Sequence, residues 1–151
     1  IGPSKMQVHT ILVTDSHLRN LSYLNLNDCK YLAEFSVILD NMKELRIERT
    51  KVKALPSSFG HHNKLKLLYI TESDIERLPS SLNNLAQLLH MEVSICQKLQ
   101  TIAKLPPFLE TLNAHFCTSL QTIPKLPSSL KTLNVGLCKS LQNLPELPHF
   151  P

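Results

Sequence analysis

Apolar residues recur along the chain with one spacing that is copied six times. Leu130 is followed by Leu133, Val135 and Cys138, and the same pattern begins at Leu109. The six copies begin at residues 21, 42, 65, 88, 109 and 130, so they are 21 or 23 residues apart. Within each copy apolar and polar positions alternate, as in a short strand with one face buried. The pattern therefore predicts one strand per copy.

A period of about 20 to 29 residues with Leu-x-x-Leu-x-Leu-x-x-Asn/Cys-x-Leu is the signature of a leucine-rich repeat. One such turn cannot bury its apolar face, and about three are needed before an interior closes. We therefore predict an α/β fold, a right-handed solenoid (horseshoe) with a short parallel sheet on its concave face. Residues 21–151 form the repeat domain, a fragment of a longer protein. Residues 1–20 are a degenerate preceding repeat or a partial N-terminal segment, with Val8, Ile11 and Leu12 as its apolar tail.

The connectors between copies are of two kinds. The longer ones, after Leu55-Pro56 and Leu78-Pro79, have Ser where a helix N-cap belongs and an apolar residue one turn later, which predicts a short helical turn on the convex side. The shorter ones, at 104–109, 125–130 and 147–148, place prolines too close together for a helix and predict extended backbone.

Cysteine, Thr and Ser share one position of the repeat. Each has a short side chain that donates a hydrogen bond, so we predict an inward structural ladder that satisfies backbone carbonyls. The chain lacks a Cys-x-x-Cys pair, which argues against a metal site. Turn spacing alone permits a disulfide between neighbouring cysteines, but the shared inward orientation favours four free thiols and a reducing compartment. The ladder comprises Cys29, Thr50, Ser73, Cys96, Cys117 and Cys138.

Composition adds mainly exclusions. The net charge of +4 is scattered, and no block of like charge predicts a nucleic-acid or membrane partner. No apolar run approaches the ~20 residues that span a bilayer. Phosphate-loop, nucleophile-elbow and His-Glu-x-x-His motifs are lacking, so we predict no enzyme activity and no cofactor. The pair His61-His62 lies in a connector and is interpreted as a solvated turn.

The outward strand positions form three columns across the turns, and the concave face of a solenoid is its usual binding surface. Charges concentrate in the second copy with tyrosines on either side, a mixture that suits a protein partner because Arg and aromatic residues anchor interfaces. A merely solvated face explains any single residue equally well. The candidate contact residues are Tyr23, Asn25, Glu44, Arg46, Glu48, Tyr69, His90, Glu92, Asn113 and His115.

A fourth position, directly before the ladder residue, is apolar in the last three copies. It holds Ile95, Phe116 and Leu137. Three adjacent apolar side chains at the rim predict either a docking patch for another segment or a set that folds over the edge of the core. Both interpretations stay open at this stage.

The turns Ser73-x-Ile75-x-x-Leu78-Pro79-x-Ser81-Leu82 and Leu126-Pro127-Ser128-Ser129-Leu130-Lys131-Thr132-Leu133-Asn134 resemble the repeat domain of plant intracellular disease-resistance receptors, in particular those with a TIR domain. The resemblance covers residues 21–148. It implies recognition of a pathogen effector or a guarded host protein, contacts with neighbouring domains that restrain the receptor, and a cytoplasmic or nuclear-cytoplasmic location. Nucleotide binding and NAD cleavage belong to other domains of that family. A free-standing cytosolic repeat scaffold is the alternative, although its repeats are more uniformly 23 residues long.

Overall fold

The fold is a solenoid of parallel strands, described here from a computed structural model. The structure describes residues 10–11, 19–36 and 38–148. Six three-residue strands, one from each copy, form the main sheet in the spatial order β10-β9-β7-β5-β4-β2. They are β2 (Tyr23–Asn25), β4 (Glu44–Arg46), β5 (Leu67–Tyr69), β7 (His90–Glu92), β9 (Thr111–Asn113) and β10 (Thr132–Asn134).

The register of this sheet is the one that the repeat predicts. The central residues of the strands pair in one row, Leu24, Leu45, Leu68, Met91, Leu112 and Leu133. The four inner members of the row are fully buried, whereas Leu24 and Leu133, in the two edge strands of this sheet, are only partly buried. The inward column is therefore the core, and each fully buried member is worth about 1.5–3 kcal/mol relative to exposure.

A second, thinner set of parallel pairings runs along the solenoid. In it β1 (Thr10–Ile11) pairs with β3 (Glu34–Phe35), and β6 (Arg77–Leu78) pairs with β8 (Thr101–Ile102). Single bridges continue it from Thr101 to Thr122 and from Thr122 to Asn143. Ile11 pairs with Phe35, so the backbone at residue 11 is in register with the first copy of the repeat. Val8 and Leu12 lie outside the described residues, and the boundary at residue 20 stays a prediction.

Between residues 21 and 148, apart from residue 37, which the structure does not describe, helices occur in two of the connectors. These 3-10 helices, Ser57–His61 and Ser80–Asn84, occur in the two 23-residue turns, as the longer connectors predict. The predicted serine caps are wrong: Pro56 and Pro79 precede the helices, and no side chain caps them. Proline suits this place because its fixed φ leads into a helix and its missing N–H is not needed there. The shorter connectors are non-helical, and each closes with a turn, from Pro106 to Leu109 and from Pro127 to Leu130.

The histidine pair does not form a solvated turn as expected. His61 is exposed, but His62 is only 1% exposed. Its Nδ1 lies 3.0 Å from the Phe59 carbonyl oxygen, and its Nε2 accepts the Leu39 N–H at 3.2 Å. These partners require a neutral ring that carries its proton on Nδ1. Burial lowers the pKa of His62, more than its bond to Phe59 raises it, which favours the neutral ring. His62 thus ties one turn to the next.

Candidate functional site

The concave sheet face gathers several of the predicted contact residues into one cluster. The outer columns align as predicted: Glu44 lies between Tyr23 and Leu67, and Arg46 lies between Asn25 and Tyr69. Their centre is Tyr69, whose ring lies 4.0 Å from the Arg46 guanidinium carbon and 5.1 Å from the His90 ring. We call the set Glu44, Arg46, Glu48, Tyr69, His90 and Glu92 the concave cluster. It spans three adjacent strands.

Ion pairs hold Arg46 in place within this cluster. Its Nε donates to Glu44 Oε1 at 2.8 Å, and its Nη1 lies 3.8 Å from Glu48 Oε1. Partial burial alone would lower the pKa of Arg46, but the hydrogen bond to Glu44 and the nearby carboxylates raise it further above its usual value. Arg46 is therefore a fixed cation that covers Tyr69. A fixed planar guanidinium on an aromatic ring is a rigid contact surface that loses little entropy on binding.

The cluster is acidic although the whole chain is basic. Glu44, Glu48 and Glu92 surround Tyr69 against the single cation Arg46, and His90 Nε2 lies 3.6 Å from Glu92 Oε2. Burial raises the pKa of Tyr69, and these three carboxylates add to that rise while Arg46 opposes it. The phenol therefore stays protonated at neutral pH and keeps a hydrogen to donate.

Three buried polar atoms beside the cluster have no hydrogen-bond partner among the described residues. They are Thr71 Oγ1, Ser94 Oγ and His90 Nε2. The outward position of Ser94 predicts an exposed hydroxyl, yet Ser94 is only 5% exposed. Unpaired buried polar atoms are costly, about 1–3 kcal/mol each. They lie on adjacent turns of the concave face, and the strand pattern alone gives no sign of them.

The remaining candidates lie on either side of the concave cluster. Asn25 and Asn113 each accept, through Oδ1, the backbone N–H of the residue two positions later, at 2.8 and 3.1 Å. Asn134 repeats this contact. These amides therefore form side-chain turns at the strand ends. Tyr23 contacts Asn25 through its hydroxyl, and Tyr23 is 48% exposed at the open edge of the sheet.

The rim position before the ladder residue has an unusual backbone in all six turns. It adopts positive φ, between 53° and 65°, at Asp28, Arg49, Glu72, Ile95, Phe116 and Leu137. Cross-turn bonds fix it, since the N–H groups of Ile95 and Phe116 donate to the carbonyls of His115 and Gly136 at 2.8 Å. Positive φ is disfavoured for large and β-branched residues. The chain thus keeps Ile95, Phe116 and Leu137 where Asn or Gly would be less strained.

The two interpretations of these apolar residues both describe part of the rim. Ile95 and Phe116 are partly buried, which agrees with packing over the core edge. Leu137 is 56% exposed, which agrees with a free patch. In the first three turns the same position is charged, and Arg49 Nη2 bonds to Asp28 Oδ2 at 3.1 Å. The rim therefore changes from charged to apolar along the solenoid.

Several side chains at the predicted ladder positions donate hydrogen bonds to backbone carbonyls. The thiols of Cys96, Cys117 and Cys138 donate to backbone carbonyls of the preceding turn at 2.8–3.0 Å. Thr50 donates instead within its own turn, to Ile47 at 3.2 Å. All four cysteines are free, and burial raises the pKa of Cys117 to about 12. A thiol that stays protonated remains a donor.

Residues 19–36 and 38–148 contain no group of three His, Cys, Asp or Glu side chains that could hold a metal ion. No helix in these ranges is long and apolar enough to cross a membrane. The geometry defines a leucine-rich-repeat scaffold, a class of fold that generally binds proteins.

Comparison with known proteins places this scaffold in a family. The family model for leucine-rich repeats of RPS4B-like disease resistance proteins matches residues 62–144. Disease resistance protein RPS4B of Arabidopsis thaliana is 32% identical over 110 residues, which are 72% of this chain and 9% of that protein. TMV resistance protein N of Nicotiana glutinosa is 30% identical over 96 residues, 64% of this chain and 7% of that protein. The chain belongs to the RPS4B-like leucine-rich-repeat family, as its resemblance predicts.

Solved structures support the fold. The leucine-rich-repeat domain of the type III effector XopL superposes with a TM-score of 0.74 at 25% identity, covering 83% of this chain and 48% of that one. YopM from Yersinia enterocolitica superposes with a TM-score of 0.61 at 26% identity, covering 86% and 32%. The predicted fold is confirmed, and the named helices of the described residues are 3-10 helices. The chain spans less than a tenth of the length of its curated relatives.

Proposed function

We propose that this chain is the recognition segment of a TIR-type plant innate immune receptor. In this proposal the concave cluster contacts a pathogen effector or a guarded host protein, and the cell compartment is the cytoplasm. The single observation that carries it is the Arg46-Tyr69-His90 stack, flanked by buried polar atoms that lack partners. Arg and Tyr in desolvated, pre-positioned contacts are the residues that dominate the energy of protein interfaces.

The proposal assigns restraint to the other surface of the same segment. An apolar strip is formed by Ile95, Phe116 and Leu137. These residues adopt positive φ, a conformation in which Asn or Gly would be less strained. We infer that a neighbouring domain of the receptor rests on this strip and that the contact helps to keep the receptor inactive. Family membership and the retained strain support this assignment. Catalysis belongs to other domains, since the repeat itself is an interaction scaffold.

A capture experiment tests the recognition proposal. The chain is immobilised and exposed to extracts of healthy and infected leaf, and bound proteins are quantified by mass spectrometry. Arg46→Ala/Tyr69→Ala removes the centre of the concave cluster and should reduce specific capture about thirtyfold, since two such anchors are worth about 2 kcal/mol or more.

The matched control is Lys139→Ala/Thr132→Ala, which removes the same charge from exposed positions outside the concave cluster. It should change capture less than about twofold, because exposed contacts at a distance contribute little. Equal capture by the wild-type chain and Arg46→Ala/Tyr69→Ala would remove the concave cluster from the proposal.

A further inference from the structure

A groove on the convex side is a second candidate binding surface, independent of the concave cluster. It has a volume of about 830 Å³, within the range of pockets that bind ligands. Three successive connectors line it, with the equivalent leucines Leu105, Leu126 and Leu147 and, beside them, the prolines Pro107, Pro127 and Pro148. Nothing in the family resemblance or in the concave geometry requires this groove.

The groove arises where the connectors change from helical to extended. The two 3-10 helices pack directly on each other, so closely that a Cβ on Gly60 would lie 2.5 Å from the Ser81 carbonyl oxygen. The next connector has no helix, and its turn is two residues shorter. Asn83 of the second helix therefore forms one end wall.

The chemistry of the groove combines an apolar floor with paired cations. Leu105 and Leu126 are buried beneath it, while Leu147 is 59% exposed at its open end. Lys104 and Lys125 stand at equivalent positions of adjacent turns, both exposed, and neither has an ion-pair or hydrogen-bond partner among the described residues. Glu146 lines the groove at the same position of the next turn. Successive turns lie about 4.8 Å apart, so two lysines and one carboxylate follow each other along this side of the groove. Unpaired lysines beside apolar surface favour an anionic ligand with apolar side chains.

We propose that this convex groove binds an extended peptide segment that carries acidic and apolar residues. An extended chain rises about 3.3 Å per residue, so carboxylates three positions apart lie about 10 Å apart, within reach of the two long lysine side chains, while the two intervening apolar side chains lie on the leucines and prolines. Two cations are few for nucleic acid, whose binding depends on many phosphate contacts. The proline lining supplies flat apolar surface and carbonyl acceptors but few N–H donors.

Fluorescence anisotropy with a labelled Glu-Leu-Pro-Glu-Leu-Pro peptide tests the proposal on the 151-residue chain. We expect saturable binding, at least tenfold tighter than that of the matched Lys-Leu-Pro-Lys-Leu-Pro peptide. Lys104→Glu/Lys125→Glu should weaken it at least tenfold. The charge-matched Lys43→Glu/Lys66→Glu, at exposed positions before strands β4 and β5, should change it less than twofold. Failure of the wild-type chain to bind the acidic peptide, or equal loss in both double variants, would overturn the proposal.

Two further arms separate a peptide groove from a simple anion site. Leu147→Ser shortens an exposed apolar contact and should weaken the acidic peptide several-fold without reducing thermal stability. Hexaglutamate should bind at least tenfold more weakly than the peptide that also carries leucine and proline. Binding of hexaglutamate with equal affinity, or displacement of the peptide by millimolar inorganic phosphate, would show that the lysines attract any anion and would contradict a peptide site.

Discussion

The 23-residue turns and the later 21-residue turns share one interior but differ in every outward feature. In the longer turns, which begin at residues 42 and 65, a 3-10 helix fills the connector, the ladder residue is Thr50 or Ser73 and the rim is charged. In the turns that begin at 88, 109 and 130 the connectors lack helices, the ladder residue is Cys and the rim is apolar. Packing therefore fixes the residue type only in the inward column, whereas the connector, the ladder position and the rim vary between turns.

This contrast also divides the candidate functions between the two regions. The concave cluster belongs mainly to the helix-bearing turns, whereas the apolar rim strip and the convex groove belong to the later ones. A solenoid allows such division, because each turn contacts only the neighbouring turns. One half of the solenoid is then suited to a partner with polar anchors, and the other half to apolar contact with a second segment.

The largest expected loss of stability comes from substitutions in the interior. There the cost of the same Leu→Ala change should depend on whether the turn is inner or terminal. Leu112→Ala empties a fully buried site between two neighbouring turns and should lower the free energy of unfolding by about 2–5 kcal/mol. Leu133→Ala removes the same atoms from a half-buried site in the last turn and should cost less than half as much. Urea denaturation compares the two, and equal losses would contradict the core assignment.

An intermediate effect is expected at the connector of the first helix-bearing turn. His62→Phe removes both ring hydrogen bonds and leaves the Leu39 N–H unpaired, which should cost about 1–3 kcal/mol at pH 7.5. Because burial lowers the pKa of His62 below 6.5, the unfolded chain binds this proton first as the pH falls. The stability that His62 provides is therefore complete above about pH 6.5 and declines below it.

The pH dependence of the His62 variant separates this contact from ordinary acid denaturation. The difference in unfolding free energy between wild type and His62→Phe should shrink as the pH falls from 7.5 to 5. His61→Phe is the matched control, since His61 is exposed, and it should change stability by less than about 0.5 kcal/mol. A wild-type advantage that stays constant over this pH range would show that His62 does not titrate as proposed.

The smallest effect, and one of opposite sign, is expected at the rim. Leu137→Asn places a residue that tolerates positive φ at an exposed site, so the isolated chain should become more stable by up to about 1 kcal/mol. Asp28→Asn is the control in the charged region, where loss of the pair with Arg49 offsets the gain. Thermal melting measures both. Destabilisation by Leu137→Asn would favour the interpretation that Leu137 closes the core edge.

The sequence predicts the parts of this fold that recur at every turn. Spacing alone identifies the buried row through Leu68 and Leu112 and the donor ladder through Cys117, because packing and carbonyl satisfaction impose the same demand on each copy. Asn25 and Asn113 each stand two residues before a turn, a position where Asn side chains commonly bond to the backbone. The sequence therefore indicates this turn role as well as the predicted contact role. The repeat pattern does not predict a structural feature that depends on one particular residue of an adjacent turn.

The burial of His62 shows why such features escape a reading of the pattern. Its acceptor role depends on Leu39, which lies one turn earlier and 23 residues away, and the local sequence around two histidines is polar. The positive φ of Ile95 and Phe116 is hidden for another reason, since neither residue favours that conformation and cross-turn bonds impose it. Both depend on how particular turns stack.

Adjacent residues of one strand have separate roles in this fold: one builds the interior, and we propose that the next contacts a partner. The free energies of unfolding of Leu68→Ala and Tyr69→Ala test this separation of roles most directly. Leu68 is fully buried, so Leu68→Ala should lower the free energy of unfolding by about 2–5 kcal/mol. Tyr69 is partly exposed, so Tyr69→Ala should lower it by about 1 kcal/mol through the lost contacts with Arg46 and His90. Equal costs for the two variants, or a larger cost for Tyr69→Ala, would contradict the account.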